Sequence, residues 1–178
     1  MATRSAALTA IEAARQGDDG AFALLLEPLL DQAYRLANGL LHDHQAAEDA
    51  VQEAALKAWR KLPQLRADAG MRPWFFAIVA NECRSNQRSR WSSVIRTAVA
   101  EPTAAPSDDS IVEGIELRRA LRAIDQDKRL VLVLHWYLDL PVDEIAAIVG
   151  LSARGTETRL LRATNELRKR MEAHRGRR

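Results

Sequence analysis

The sequence predicts an all-α protein: two small helical domains joined by a flexible linker, the second a helix-turn-helix domain. Three observations predict it. Gly and Pro are scarce, 8 and 6 of 178 residues, while Ala and Leu abound, a composition that favours helices. Apolar residues recur at helical spacing, most clearly Ala47, Val51, Ala54, Ala55, Ala58, Trp59 and Leu62. Residues 92–112, SSVIRTAVAEPTAAPSDDSIV, are rich in Ala, Ser, Pro and Asp. The Glu-Pro and Ala-Pro pairs there disfavour helix at the residues before each proline. The predicted division is therefore a domain over 1–91, a linker over 92–112 and a domain over 113–178.

In the front domain, Thr9–Gln16 reads as a short helix ended near Gly17. Asp18 or Asp19 is placed to cap the next, which carries Phe22, Leu25, Leu26 and Leu29. Pro28 is expected to kink or break it. Asp31–Leu41 then reads as a separate helix with Ala33, Leu36, Ala37 and Leu40 on one stripe. The amphipathic helix Ala46–Leu62 follows and Pro63 stops it. A polar loop over 63–72 contains Gly70. Pro73 suits the first turn of a helix running to about Arg90, with Trp74, Ala77, Ile78 and Val79 as its apolar stripe.

In the back domain, Ile115–Ile124 reads as a helix. Asp125 or Asp127 is placed to cap Lys128–Leu138, whose apolar positions include Val131, Leu132, Leu134 and Trp136. Pro141–Gly150 reads as a turn and short helix, Leu151-Ser152-Ala153 as a turn, and a last helix runs from about Ala153 to Glu172.

Apolar residues make up 47% of the chain and charged residues 28%, which excludes a disordered protein. The single Cys excludes an intramolecular disulfide framework and a Cys-based zinc site. Clean apolar runs such as Ala21–Leu26 are far shorter than the ~20 residues of a membrane span. Glu12 and Arg15 interrupt the first apolar stretch, so no secretory pattern is expected and a cytoplasmic protein without membrane insertion is. The net charge of +2 is unevenly spread. Residues 1–91 hold 11 Lys and Arg against 11 Asp and Glu; residues 92–117 hold 1 against 5; residues 118–178 hold 14 against 8. A basic end beside a neutral front suits a polyanion partner, against the plainer reading of a solvated tail.

Residues 142–162 carry the most specific local signal. Ala146 lies four residues before Gly150: a small residue lets two helices approach, and Gly permits a left-handed turn. Ile145 and Val149 are expected to face the core, and Ser152 is a candidate N-cap. The second helix then presents Arg154, Glu157, Thr158, Arg159 and Arg162. Arg can donate to guanine edges or phosphates, and Thr can bind phosphate or touch a thymine methyl. The plainer reading is a helical hairpin with a salt-bridged face. Asp49, Gln52 and Glu53 share one helical face by i, i+3 and i+4 spacing, opposite Val51, Ala55 and Trp59. On the residues alone that is an ordinary solvated face.

No catalytic machinery is legible. There is no Gly-rich phosphate loop and no Gly-x-Ser-x-Gly. His42-x-His44 with Glu48 lacks a second cluster to complete a metal site and looks like an inter-helix turn. His135 beside Trp136 reads as a packed or surface residue, and Cys83 as a structural thiol. The expectation is a protein that is no enzyme and holds no cofactor or metal.

Two sets of residues in order resemble the extracytoplasmic-function sigma factors of the sigma-70 family. The front set is Ala47-Glu-Asp-Ala-Val-Gln-Glu53, Ala58-Trp-Arg-Lys-Leu62 and Pro73-Trp-Phe-Phe-Ala-Ile-Val-Ala-Asn81. The back set is Leu117–Leu134, Asp143-Glu-Ile-Ala and Thr158-Arg-Leu-Leu-Arg-Ala163. The resemblance covers about residues 10–91 and 113–172. It implies a region 2-like front domain and a region 4-like back domain. Asp49, Gln52 and Glu53 would bind the clamp helices of core RNA polymerase, and the polymerase flap would be a second contact. The loop 63–73 with Trp74, Asn81, Arg84, Ser85 and Arg88 would read and open the −10 promoter element. Trp74 and Phe75 stand as pocket wall or core, with core preferred for Trp74. Arg88 and Arg90 suit DNA backbone more than bases. Ser152, Arg154, Glu157, Thr158, Arg159 and Arg162 would meet the −35 element in the major groove. The acidic linker would thread toward the polymerase active site and RNA exit. An anti-sigma factor is a further partner that the family implies.

The chain departs from the family pattern in three places. Arg154-Gly155-Thr156 stands where Gly-Thr-Val usually opens the recognition helix, Pro28 is unusual, and Ser85 replaces a common acidic residue. The competing readings are a stand-alone helix-turn-helix activator and a helical adaptor that binds only protein.

Overall fold

The computed structural model describes residues 2–65, 70–94 and 109–175. The described residues form helices and turns and no strand. The chain divides into two compact units, Met1–Arg84 and Ser85–Arg178.

In the first unit, α1 (Ala2–Arg15) and α3 (His44–Lys61) both pack against α2 (Asp19–Leu41). Asp18 caps α2, its carboxylate accepting from the Ala21 N–H at 3.0 Å. The expected break at Pro28 does not occur: α2 is one helix of 23 residues with Pro28 inside it. Pro28 lies on the exposed face. It deprives the Leu24 carbonyl of its usual donor, but Leu24 is 71% exposed, so solvent reaches that position. A proline is tolerated on the wet side of a helix as it is not on the packed side. Ala33, Leu36, Ala37 and Leu40 form the buried stripe, as their spacing predicts.

His42 ends α2 in the left-handed region, and Asp43 caps α3 through the Ala46 N–H at 3.0 Å. His44 pairs with Tyr34, ring on ring, with the phenol oxygen 2.5 Å from Nδ1. Both histidines of the His42-x-His44 pair thus serve an inter-helix turn. Helix α3 buries Ala46, Ala47, Ala50, Val51, Ala54 and Ala58, and a 3-10 turn over Leu62–Gln64 follows it. Ala55 and Trp59 are half-buried; the Trp59 ring meets Phe22 edge-on, with centroids 5.0 Å apart.

Helix α4 (Met71–Val94) starts where Pro73 predicts and runs into the expected linker. Its core residues are Phe75, Phe76, Ile78, Val79, Ala80 and Cys83. Of the expected stripe, Ile78 and Val79 are buried, while Trp74 and Ala77 are half-buried and Phe75 and Phe76 take the deepest places. Lys57 on α3 reaches Glu82 on α4 at 2.6 Å. Arg15 donates to the Leu65 carbonyl and fastens α1 to the chain after α3.

In the second unit, α5 (Asp109–Arg122) starts inside the expected linker; residues 95–108 of that linker lie outside the described residues. Helices α6 (Gln126–Leu132), α7 (Val142–Val149) and α8 (Ala153–Arg175) complete the unit, and α8 packs against α5, α6 and α7. Asp125 is the cap of α6, accepting from the N–H groups of Asp127 and Lys128. Arg129, 7% exposed, donates from Nη2 to the carbonyls of Arg122 and Ile124 at 2.9 and 3.0 Å. A buried cation thereby serves orphan carbonyls where α5 ends. Burial, then the charge of Arg122, pushes its pKa down.

The expected helix Lys128–Leu138 is not uniform. After Leu132 the chain makes a π-helical turn, Val133–Tyr137, closed by the Leu138 N–H to the Val133 carbonyl at 3.0 Å. One extra residue per turn shifts the phase. Val133 and Leu138 are buried at i, i+5, and Trp136, expected on the apolar stripe, is 68% exposed.

Candidate nucleic-acid interface

The turn between α7 and α8 is built as the sequence implies. Gly150 ends α7 at φ +68° and its N–H donates to the Ala146 carbonyl. A left-handed residue here is where Gly carries no Cβ penalty. Ile145 is buried as expected, but Ile148, not Val149, is the second core residue; Val149 is half-buried. Ser152 caps α8, its Oγ accepting from the Gly155 N–H at 3.1 Å. The Ser152 carbonyl takes both the Thr156 N–H at 2.9 Å and the Thr156 hydroxyl at 3.0 Å.

Thr156 is fully buried, which gives the unusual Arg154-Gly155-Thr156 start a physical sense. Thr156 and Ala163 form the packed stripe of α8. A Cβ at Gly155 would come within 3.2 Å of Ser152 Oγ, so the glycine leaves room for the cap. Arg154, Glu157, Thr158 and Arg162 are exposed and Arg159 is half-exposed. The Thr158 hydroxyl donates to the Arg154 carbonyl at 2.9 Å, which leaves its lone pairs and methyl group facing out.

Five of the six −35 candidates line one open hollow of about 610 Å³: Ser152, Arg154, Thr158, Arg159 and Arg162. Glu157 is not among its lining residues. The other wall is the start of α6, with Asp125, Asp127 and Lys128. Asp127 Oδ2 lies 3.9 Å from Arg159 Nη1. Lys128 Nζ and Arg170 Nη2 each reach Glu166 at 2.8 Å. Lys128 first, then Arg170, holds the Glu166 carboxyl below the usual carboxylate range. Sequence reading missed Lys128 as a wall of this hollow and weighed Asp127 only as a cap. Spacing within one helix carries no signal for a neighbour about 30 residues away.

The −10 candidates recur at helical spacing along α4. Asn81, Ser85 and Arg88 are exposed, and Arg84 Nη1 donates to Asn81 Oδ1 at 2.6 Å. Trp74 packs on a cluster of Ile11, Ala14, Ala21, Leu62 and Leu65, in keeping with core more than pocket wall. Phe75 is fully buried and is core. Residues 66–69 of the preceding loop, and the side chain of Arg90, lie outside the described residues.

On α3, Asp49 and Gln52 are exposed and Glu53 half-buried. Gln45 Nε2 donates to Asp49 Oδ1 at 3.3 Å, and Glu53 lies 3.4 Å from Lys57 Nζ. Leu56, 52% exposed, continues the same face one turn on and went unremarked in the sequence, where a leucine in an amphipathic helix reads as core. Among the described residues no group of three His, Cys, Asp or Glu could hold a metal ion. None of their helices is long and apolar enough to cross a membrane.

A capped helix-turn-helix with a basic hollow, with no strand among the described residues, defines a DNA-binding protein of the helix-turn-helix class. Comparison with known proteins narrows the class. Sigma-70 region 2 matches residues 25–93, and Sigma-70, region 4 matches residues 114–167. The RNA polymerase sigma-H factor of Pseudomonas aeruginosa is 24% identical, over 91% of this chain and 92% of its own. The probable RNA polymerase sigma factor RfaY of Xanthomonas campestris is 27% identical over 87% of this chain, which spans 41% of RfaY. The ECF factor SigG of Mycobacterium tuberculosis is likewise spanned only over 48% of its length. The sigma factor RpoE of Bartonella quintana, solved in complex with the anti-sigma factor NepR, superposes with a TM-score of 0.67 at 25% identity, over 85% of this chain and 96% of that one. The chain belongs to the extracytoplasmic-function sigma factors of the sigma-70 family.

Proposed function

We propose that this chain is a bacterial alternative sigma factor. It binds core RNA polymerase, directs it to a specific set of promoters and helps open the −10 region. The observation that carries the reading is the order of the two matches, region 2 over 25–93 and then region 4 over 114–167. A stand-alone activator or a protein-only adaptor has no need of the first.

The division of labour follows from chemistry. Asp49, Gln52 and Glu53 offer an acidic and amide face to a basic helical partner, the polymerase clamp helices; the flap is the second polymerase contact. Arg154, Arg159 and Arg162 supply cations to phosphates and, where bidentate, to guanine edges. Glu157 can accept from a cytosine amino group, Thr158 suits phosphate or a thymine methyl, and the Ser152 hydroxyl can donate to a phosphate. Asn81, Arg84, Ser85 and Arg88 present amide, hydroxyl and guanidinium groups for the −10 element, where an unstacked base must be trapped. Trp74, in the first turns of that helix, anchors it on the cluster of Ile11, Ala14, Ala21, Leu62 and Leu65. The chain carries out no chemistry of its own; the recruited polymerase does. An anti-sigma factor, as captured with RpoE, is a further partner, and the site of action is the cytoplasm, where polymerase and promoter meet.

The test is retention of genomic duplex fragments by the chain alone, by core polymerase alone and by the two together. Sequence-selective retention only by the mixture is expected. Selective retention by the chain alone, as a dimer, would favour the stand-alone activator. Co-elution with polymerase but no selective retention would favour the adaptor.

A further inference from the structure

We propose that Asp127, in the first turn of α6, is a positioning residue for Arg159 and sets part of the chain's selectivity for its upstream promoter element. The inference rests on the reading of α8 as the helix that meets that DNA.

Asp127 Oδ2 stands 3.9 Å from Arg159 Nη1, and the two side chains are 51% and 32% exposed. That separation makes an ion pair and not a hydrogen bond. A pair so exposed contributes little to folding. The joint between α6 and α8 is served instead by Lys128 and Glu166 at 2.8 Å. The cap of α6 is served by Asp125. An acid in the first turn gains from the helix dipole, but that gain does not require it to face an arginine of another helix.

The location has a cost in binding. Asp127 lines the same hollow as Arg154, Thr158, Arg159 and Arg162. A carboxylate there repels every phosphate that approaches, whatever the DNA sequence. What it gives in return is order. Arg159 is a long side chain with many rotamers, and its guanidinium is a planar fork. A carboxylate beside one Nη limits those rotamers and leaves the rest of the fork toward the hollow. A phosphate contact tolerates a wandering guanidinium; a bidentate contact to a base edge does not. Asp127 therefore lowers affinity for DNA in general and sharpens the choice at the base pair that Arg159 reads.

The test uses the full chain reconstituted with core RNA polymerase and a duplex library randomised across the upstream element. Wild type, Asp127→Asn, Asp127→Glu, Arg159→Ala and the Asp127→Asn/Arg159→Ala double variant are compared by sequencing the retained duplexes. Wild type is expected to enrich a defined upstream sequence, and Arg159→Ala to lose preference at one or two base pairs. Asp127→Asn should retain the whole library about twofold to fivefold better as one repelling charge goes. It should also lose about fivefold or more of the preference at the base pairs that Arg159→Ala affects. Asp127→Glu should keep most of that preference, and the double variant should lose no more than Arg159→Ala alone. Unchanged preference in Asp127→Asn, beside a loss in Arg159→Ala, would overturn the positioning role. So would a loss at different base pairs. No upstream enrichment by wild type would remove the reading of α8 itself, and this proposal with it.

Discussion

Ser152 Oγ accepts the Gly155 N–H at 3.1 Å, and a Cβ added at Gly155 would press within 3.2 Å of the same oxygen. The cap and the glycine are one device at the start of α8. Ser152→Ala should destabilise the chain by about 1 kcal/mol, the usual worth of a lost N-cap. Gly155→Ala alone should gain less than the ~1 kcal/mol that helix propensity promises, because it crowds the cap. In the Ser152→Ala background the same change should gain nearly all of it. Denaturant unfolding of the four proteins checks the coupling; strict additivity would mean the crowding is harmless.

Pro28 sits inside α2 on its exposed side. Pro28→Ala restores one backbone donor and removes a ring from a continuous helix. Stability should rise by roughly 1–3 kcal/mol, the upper end being the penalty for proline within a helix. Equal or lower stability would show that α2 is arranged around the proline.

Cys83 is fully buried on α4, and burial, then the charge of Glu82, pushes its thiol up to about 12 from an ordinary value of 9.0. The folded chain should resist alkylation at pH 8 and react at the normal rate only once denatured. The folded state holds this proton more tightly than the unfolded one. The contribution to stability is therefore whole below pH 9.0 and is lost as pH rises from there toward about 12. Fast alkylation of native protein would place the thiol nearer solvent.

Gln52 is exposed on α3 between Asp49 and Leu56. Gln52→Ala should leave the unfolding midpoint within about 0.5 kcal/mol of wild type. Its affinity for core polymerase should fall about tenfold, as for a contributing interface contact. Unchanged affinity in a normally folded variant would take Gln52 out of that face.

What was legible in the sequence was local. The small residues of α3, the left-handed Gly150 and the Ser152 cap each follow from a short pattern with one physical solution. What was not legible depended on neighbours. Pro28 is tolerated because of which side of α2 meets solvent. Trp136 leaves the core because a π-helical turn shifts the phase of a run that is buried from Arg129 to Leu134. Ile148 takes the core place expected of Val149 because i+3 and i+4 both fall on the face of Ile145, and spacing does not choose between them. The pairing of Asp127 with Arg159 joins residues far apart in sequence, and only the packing of α6 on α8 reveals it.

The most direct test of the sigma-factor account is run-off transcription from a pool of genomic fragments, with purified core polymerase, with and without this chain. The account predicts start sites that appear only with the chain and share two upstream elements when aligned. An unchanged set of starts, with the chain bound to polymerase, would contradict it.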